Sequence, residues 1–536
     1  MRLLVTAAAL LLALFARPAA SADTFQVVDA FEREGAFSLI IVPHSWNGAF
    51  IVYAHGYDSD YRDIKPYPSD ITPANIGSKL SGADLILQLP LALGYAVGTT
   101  TYRSVGWAVA DAWRDVDNVR LRFRKRVGKP TFTYVWGHSE GGIVTQTVIE
   151  KQPHDYDGAL PMCALGAGGR RNLLGAWDLR AAYEYACAGV PDAEFRCNVC
   201  SDGTSRCLVD ADCPSGQTCG DLEPAYPPEW GLTPECTEFT LQKPGPGNPE
   251  PRFGDFVARH VTACFGGASP TPEQQARRDL FLRGTQIPAS FLATDLFFAS
   301  VALGEIRNRR TGGGVPWSND GVTYESPALT PAEQDAFNAG VPRATNDVAA
   351  MEYLRTNYEE RGRTQSKVMT LHALDDGLVI PENEEKYREA FNTARRGDQL
   401  VQLYTPTGGH CGFSIAEHVA ALTSLFAWVE HGITPTVAGA QATCTAVAPL
   451  VGGECQIQDA DPGEWGSRVV ERRQQGLKLR QLVCQGDPGD CPAESTCSPR
   501  LHRCVGSPPT QGGCPTLSAA GPGGAGWVGY ESPQLR

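Results

Sequence analysis

Gly137-His138-Ser139-Glu140-Gly141, followed by Gly142, has the form G-x-S-x-G. The pattern carries chemistry in one setting, a sharp strand-to-helix turn that stands the serine exposed at the helix N-terminus. Both flanks meet that condition. Thr131-Trp136 is a short apolar, β-branched and aromatic run, and Gly142-Lys151 reads as a helix. The helix dipole favours negative charge developing beside Ser139. A serine hydroxyl is a weak nucleophile at neutral pH and needs a base. His410, in Thr405-Pro-Thr-Gly-Gly-His410-Cys-Gly-Phe, sits in a loop just after a strand-like run, where a base can reach the turn. His418 and His431 lie in or just after the following helix and read as surface or packing residues. The base in turn needs an acid to fix its tautomer and stabilise its charged form. Asp375 and Asp376 are both available. Asp376 is preferred, four residues after His372 and followed by Gly377-Leu378-Val379, which leaves Asp375 to cap the helix near Pro381. Two N–H donors are needed for an oxyanion. The backbone of Glu140, directly after Ser139, supplies one. Tyr57, at the end of Tyr53-Ala54-His55-Gly56-Tyr57, supplies the other.

These residues are spread along a chain of alternating elements. Phe25-Val28, Phe37-Val42 and Ala49-Ala54 are strand-like, and Asn47-Gly48 reads as a hairpin turn between the last two. Tyr95-Thr101 is a strand and Trp107-Val127 a helix. Asp157-Met162, Val368-His372 and Gln399-Tyr404 are further strands, with helices at Glu382-Thr393 and Ile415-Glu430. Strands alternating with helices predict a mostly parallel α/β sheet. The alternation stops near Gly166 and resumes near Lys367, so the sheet holds a large insertion before its last two strands. After about Gly432 few long periodic elements are expected. The expected division is 1–22 leader, 23–165 and 366–432 sheet domain, 166–365 lid, and 433–536 a Cys-rich region.

An internal repeat stands outside the sheet. Cys207…Asp212-Cys213-Pro214…Thr218-Cys219 is echoed by Cys484…Asp490-Cys491-Pro492…Thr496-Cys497. Such spacing builds a small crosslinked knot with little core of its own. The first copy belongs to a Cys-rich module at about 197–236 within the insertion. Cys197-Asn-Val-Cys200 could form half of a zinc site, but no Cys/His pair of matching spacing completes it. No metal or cofactor is expected.

The chain of 536 residues carries 46 Lys+Arg against 60 Asp+Glu, a net charge of −14, which argues against a nucleic-acid partner. Its N-terminus has a leader pattern. Arg2 precedes the apolar run Leu3-Phe15, too short to span a bilayer, and Ala20-Ser21-Ala22 reads as a cleavage site before Asp23. Export to an extracellular or periplasmic space accommodates the 17 cysteines as disulfides, the odd count leaving at least one thiol unpaired or paired outside the chain.

In this arrangement the chain resembles the α/β-hydrolases, in particular the secreted esterase and prolyl-oligopeptidase-like serine hydrolases. Strand-His55-Gly56, Ser139 in its turn, Asp376 and His410 occur in that family's order over roughly residues 25–165 and 365–432. The register of Asp376 is also that of many such hydrolases. The resemblance implies an α/β-hydrolase fold and, most commonly, hydrolysis of carboxylic esters. The His410-Cys411 pair is similar to tannases and feruloyl esterases, where a cysteine beside the base is bonded to one beside the nucleophile. Here His138 precedes Ser139, so that signature is incomplete; Cys411 could bond elsewhere, with Cys163 at the end of the next strand the candidate. The expected substrate is a small ester, or a peptide if the same triad serves an aminopeptidase whose Glu140 or Asp295 holds the substrate amine. A binding protein without activity would not need the full set. Trp177, Phe291, Phe297, Phe298 and Trp317 could line the pocket or form the lid core.

Overall fold

The computed structural model describes residues 25–57, 84–104, 106–190, 256–311, 314–406 and 408–462, with short pieces at 193, 198–201, 215–221, 471–474, 496–498 and 503–505. The expected N-terminal leader and nearly all of the two expected cysteine modules lie outside these residues. In the insertion, Asn198–Cys200 pairs antiparallel with Cys219–Asp221.

Eight strands form one sheet: β1 (Phe25–Arg33), β2 (Ala36–Pro43), β3 (Phe50–Ala54), β4 (Ala96–Thr100), β5 (Thr133–His138), β6 (Gly158–Met162), β7 (Lys367–Ala373) and β8 (Leu400–Thr405). Their order is β1-β2-β4-β3-β5-β6-β7-β8, and β2 alone runs against the rest. This is the α/β-hydrolase fold. Its central strands are buried almost throughout because helices cover both faces. Phe50 of β3 stacks on Phe123, while Ile51 and Tyr53, one residue out of phase, join the cluster that includes Leu425 and Trp428 on the opposite face.

The helices that matter for the site are α1 (Asp84–Ala92), α2 (Val109–Arg126), α3 (Glu140–Lys151), α4 (Gly168–Ala186), α5 (Pro272–Thr285), α6 (Leu292–Glu305), α7 (Pro331–Gly340), α8 (Val348–Asn357), α9 (Glu382–Thr393), α10 (Ile415–His431) and α11 (Val437–Val451). The sheet is interrupted between Met162 and Lys367, and α4 to α8 lie in that interval. The larger of two units comprises Met1–Asn319 and Ser326–Glu471; the smaller comprises Asp320–Glu325 and Arg472–Arg536. In the smaller, Thr496–Ser498 pairs antiparallel with Arg503–Val505.

One sequence expectation is corrected. The Asn47-Gly48 hairpin does not form. The hairpin joins β1 to β2 through Glu34 (φ 55°) and Gly35 (φ 89°), both left-handed as a two-residue turn requires. β4 enters between β2 and β3, so Asn47-Gly48 carries the chain across to β3 and its side-chain amide oxygen accepts the Ala49 N–H instead. After Gly432, where few long elements are expected, one long helix forms among the described residues. α11 packs on α10, tied by the Cys444–Cys455 disulfide. Its sequence, Val-Ala-Gly-Ala-Gln-Ala-Thr-Cys-Thr-Ala-Val-Ala-Pro-Leu-Val, is made mostly of small residues whose apolar stripe is faint.

Candidate active site

The turn at Ser139 is built by close contact between β5, α3 and the end of β3. Ser139 takes φ 56° and ψ −120°, and its N–H is held by Met162 O at 3.0 Å. A non-glycine residue keeps such a conformation only where its surroundings over-determine it. Gly137 and Gly141 make room: a Cβ on Gly141 would collide with the Ala54 carbonyl, and one on Gly137 with the Gly141 carbonyl. Ser139 thereby stands at the N-terminus of α3, whose first N–H groups have no partner within the helix. Glu140 contributes the first of these.

Ser139 Oγ lies 2.8 Å from His410 Nε2, and His410 Nδ1 lies 2.8 Å from Asp376 Oδ2. Asp376 is fully buried at the end of β7, and its Oδ1 accepts the N–H groups of Leu378 (3.0 Å) and Val379 (2.9 Å). Asp375 points the other way. It caps no helix; α9 begins after Pro381 without a side-chain cap. Asp375 instead accepts the N–H of Gly409 at 2.8 Å and of Gly408 at 3.3 Å, fastening the loop that carries His410. The same loop is bonded through Cys411 to Cys163 just beyond β6, the pairing expected above.

Behind Asp376 lies a residue whose part the sequence did not reveal. His372 is fully buried in β7. Its Nε2 is 2.7 Å from Val379 O and its Nδ1 is 3.1 Å from Glu384 Oε1, so both nitrogens face acceptors and both carry protons. Its Nε2 is also 3.5 Å from Asp376 Oδ2. Burial disfavours its charge, but the hydrogen bonds to Asp376 and Glu384 outweigh burial and raise its pKa to about 10. Burial alone would raise Asp376, yet hydrogen bonds from His372 and His410 bring it down to about 2. The carboxylate is therefore held ionised between two imidazoles. Strand alternation places His372 in the sheet, but nothing local announces Glu384 on α9 as its partner.

His418 and His138 are a second pair. Both are buried, which corrects the surface alternative for His418, and their Nε2 atoms are 2.9 Å apart. His418 Nδ1 faces the Ser414 carbonyl at 2.8 Å and must donate to it. Its Nε2 then accepts from His138 Nε2–H, leaving His138 Nδ1 to accept from the Tyr53 hydroxyl at 3.4 Å. Burial pushes both pKa values down, which favours the neutral forms in this pair packed beneath the Ser139 turn.

Gly56, Tyr57, Ser139 and His410 line one cavity of about 530 Å³, with Gly56 packed directly beside Ser139. The loop carrying them is set by His55, whose ring stacks on Tyr102 at 3.9 Å and whose carbonyl accepts the Tyr102 hydroxyl at 2.9 Å. The cavity is mostly apolar, with Leu173, Leu179, Phe298, Leu378 and Ile380 in its wall. Of the aromatic residues left open above, Phe298 lines it, with its ring 5.5 Å from that of Tyr57. Trp177 and Trp317 stack on each other at 6.1 Å in the core. Phe297 packs on Phe256, and Phe291 lies against Gly377 of the acid loop. The Glu140 carboxyl is buried and accepts the Ala108 N–H at the start of α2, so it is occupied with positioning that helix and does not offer itself to a substrate amine. Burial, and then the nearby Glu305 carboxylate, push it well above the ordinary range.

No family model matches the chain. Among curated proteins, a probable feruloyl esterase from Arthroderma benhamiae is 27% identical over 131 residues, 23% of this chain and 22% of that protein. The match thus spans about a fifth of that relative's length. Solved structures with a likeness include feruloyl esterase B from Aspergillus oryzae, at 15% identity and TM-score 0.37, covering 75% of this chain and 78% of that one. Tannin acyl hydrolase from Aspergillus niger follows at 10% identity and TM-score 0.36, covering 79% and 87%. A rice cell wall degrading esterase from Xanthomonas oryzae has 13% identity and TM-score 0.33, covering 79% and 94%. The fold follows from the strand order above and not from these likenesses. No described helix is long and apolar enough to cross a membrane.

Proposed function

We propose that the protein is an exported serine hydrolase of carboxylic esters, with Ser139 as nucleophile, His410 as base and Asp376 as orienting acid. The observation that carries this reading is the hydrogen-bonded line Ser139 Oγ–His410 Nε2–His410 Nδ1–Asp376 Oδ2 opening on a mostly apolar cavity. The partial likeness to a probable feruloyl esterase agrees with it. Export is supported by the N-terminal leader pattern and by the Cys163–Cys411, Cys187–Cys264 and Cys444–Cys455 disulfides.

The chemistry follows from the atoms. With Asp376 accepting from Nδ1–H, His410 presents a bare Nε2 lone pair to the Ser139 hydroxyl. Ser139 Oγ bonds to the ester carbonyl carbon as its proton passes to Nε2. The carbonyl oxygen becomes an oxyanion and is held by the backbone N–H groups of Glu140 and Tyr57. His410 then returns that proton to the departing alkoxide, leaving an acyl-enzyme on Ser139. Water repeats the sequence: His410 takes its proton, its oxygen attacks the acyl carbon, and Ser139 leaves with the proton. The imidazolium formed twice in the cycle is balanced by the ionised Asp376. The segment between Met162 and Lys367, through Leu173, Leu179 and Phe298, acts as a lid that shapes the acyl and alcohol sites.

The test is a comparison on the purified mature chain of p-nitrophenyl alkanoates with aminoacyl p-nitroanilides. Ester turnover with little or no anilide turnover is expected. Faster anilide turnover would overturn the ester reading in favour of a peptidase.

A further inference from the structure

Asp295 sits in the first turn of α6, in the wall of the cavity that holds Ser139 and His410. The residue is 6% exposed, and its Oδ1 has no hydrogen-bond partner. The hydroxyls of Ser300 and Thr285 nearby in sequence are satisfied by carbonyls of their own helices, Leu296 O and Phe281 O. Asp295 has no such outlet: its own N–H closes the turn to Phe291 O, and no described donor meets the carboxyl. A buried carboxyl without a partner is costly in an otherwise apolar cavity. A group of that kind facing a substrate cavity finds its partner in what enters.

We propose that Asp295 is the polar anchor of the substrate cavity and pairs with a hydroxyl group carried by an uncharged ester. This rests on the ester-hydrolase reading and adds the substrate's second recognised group to it. The choice of a hydroxyl over an ammonium comes from the neighbours. Asp376 already occupies the region with a carboxylate that His410 and His372 keep ionised. Burial, and then the Asp376 charge, push the Asp295 carboxyl well above its ordinary range, which favours its neutral form. A protonated carboxyl both donates and accepts, as a hydroxyl does, and the two pair reciprocally. An ammonium would have to ionise Asp295 against both burial and Asp376. The anchor also restricts the ligand's reach, because Phe298, one turn further along α6, faces the same cavity beside Tyr57. The apolar body of the ester packs on Phe298 while its hydroxyl meets Asp295.

The experiment compares kcat/KM for matched ester pairs with and without a hydroxyl. The hydroxyl is walked along the acyl chain of p-nitrophenyl hydroxyalkanoates and along the alcohol of hexanoate esters. The wild-type enzyme is expected to prefer the hydroxylated member about 10- to 100-fold at the matching position, the range for leaving a buried polar group unpaired. In Asp295→Leu that ratio should collapse towards one. In Asp295→Asn, whose amide also donates and accepts, a good part of it should return. The proposal is overturned if the wild-type enzyme shows no preference at any position, if the ratio survives in Asp295→Leu, or if ammonium-bearing esters outrun the hydroxylated ones. Ester turnover without a hydroxyl preference sinks the anchor and leaves the hydrolase reading standing. Absence of both ester turnover and Ser139 labelling by a fluorophosphonate overturns the hydrolase reading, and the anchor with it.

Discussion

Replacing Asp376 by asparagine separates the two tasks of that side chain. Oδ1 accepts from the N–H groups of Leu378 and Val379, and Oδ2 accepts from His410 Nδ1–H. An asparagine keeps one oxygen. Two backbone N–H groups demand it, so the amide nitrogen turns towards His410. That nitrogen donates, and His410 Nδ1 must become an acceptor with its proton on Nε2. Nε2 can then no longer take the Ser139 proton, and the imidazolium loses its counter-charge. Both effects act on the transition state, so kcat should fall about 10⁴-fold, about 5 kcal/mol, with KM little changed. Asp375→Asn is the matched control. Its oxygens accept from Gly409 and Gly408, and an asparagine oxygen retains the shorter bond to Gly409. Its cost should stay within about tenfold, the scale of one hydrogen bond of modest net strength. The assay is kcat and KM for p-nitrophenyl butyrate, with thermal melts showing that both variants are folded. Asp375→Asn as the crippled variant and Asp376→Asn within tenfold of wild type would refute the assignment.

Three further outcomes follow from the same geometry. His372 has its folded pKa raised from 6.5 to about 10, so its stabilising effect is complete below pH 6.5 and is lost as pH rises through 10. His372→Gln should therefore lower the unfolding free energy on the order of a few kcal/mol at pH 6 and much less at pH 10; urea titrations showing an equal or larger loss at pH 10 would exclude a charged His372. Cys163→Ser with Cys411→Ser frees the His410 loop from β6 while leaving Asp375 attached, so kcat should drop more than KM rises; unchanged kcat would mean the loop is set by Asp375 alone. Gly141→Ala drives a methyl group into the Ala54 carbonyl and should give little folded protein, whereas Gly175→Ala, with open space around it, should melt like wild type.

What the sequence revealed and concealed divides along local and distant physics. The Ser139 turn was legible because its cause is local: glycines at 137, 141 and 142 between an apolar strand and a helix. The loop of His410 was legible because the strand before it and the helix after it are strongly patterned. Asp376 and Asp375 are adjacent and chemically identical, and the structure separates them by direction, one towards His410 and one towards Gly408 and Gly409. The Asn47-Gly48 signal did not make a hairpin, since the chain turns at His44-Ser45 and strand pairing is decided by β4, which arrives some fifty residues later. The roles of His372 and Asp295 depend on neighbours from other elements. Glu384 charges the first, and the cavity leaves the second without a partner. Neither relation has a sequence signature.

The central claim is that His410 and Asp376 make Ser139 the reactive nucleophile of the chain. Mass mapping after treatment with a fluorophosphonate addresses it directly. One adduct is predicted, on the peptide containing Ser139, absent from Ser139→Ala and formed far more slowly in His410→Ala. An unlabelled wild-type chain, or a Ser139→Ala variant that still takes the label and still hydrolyses esters at the wild-type rate, would contradict it.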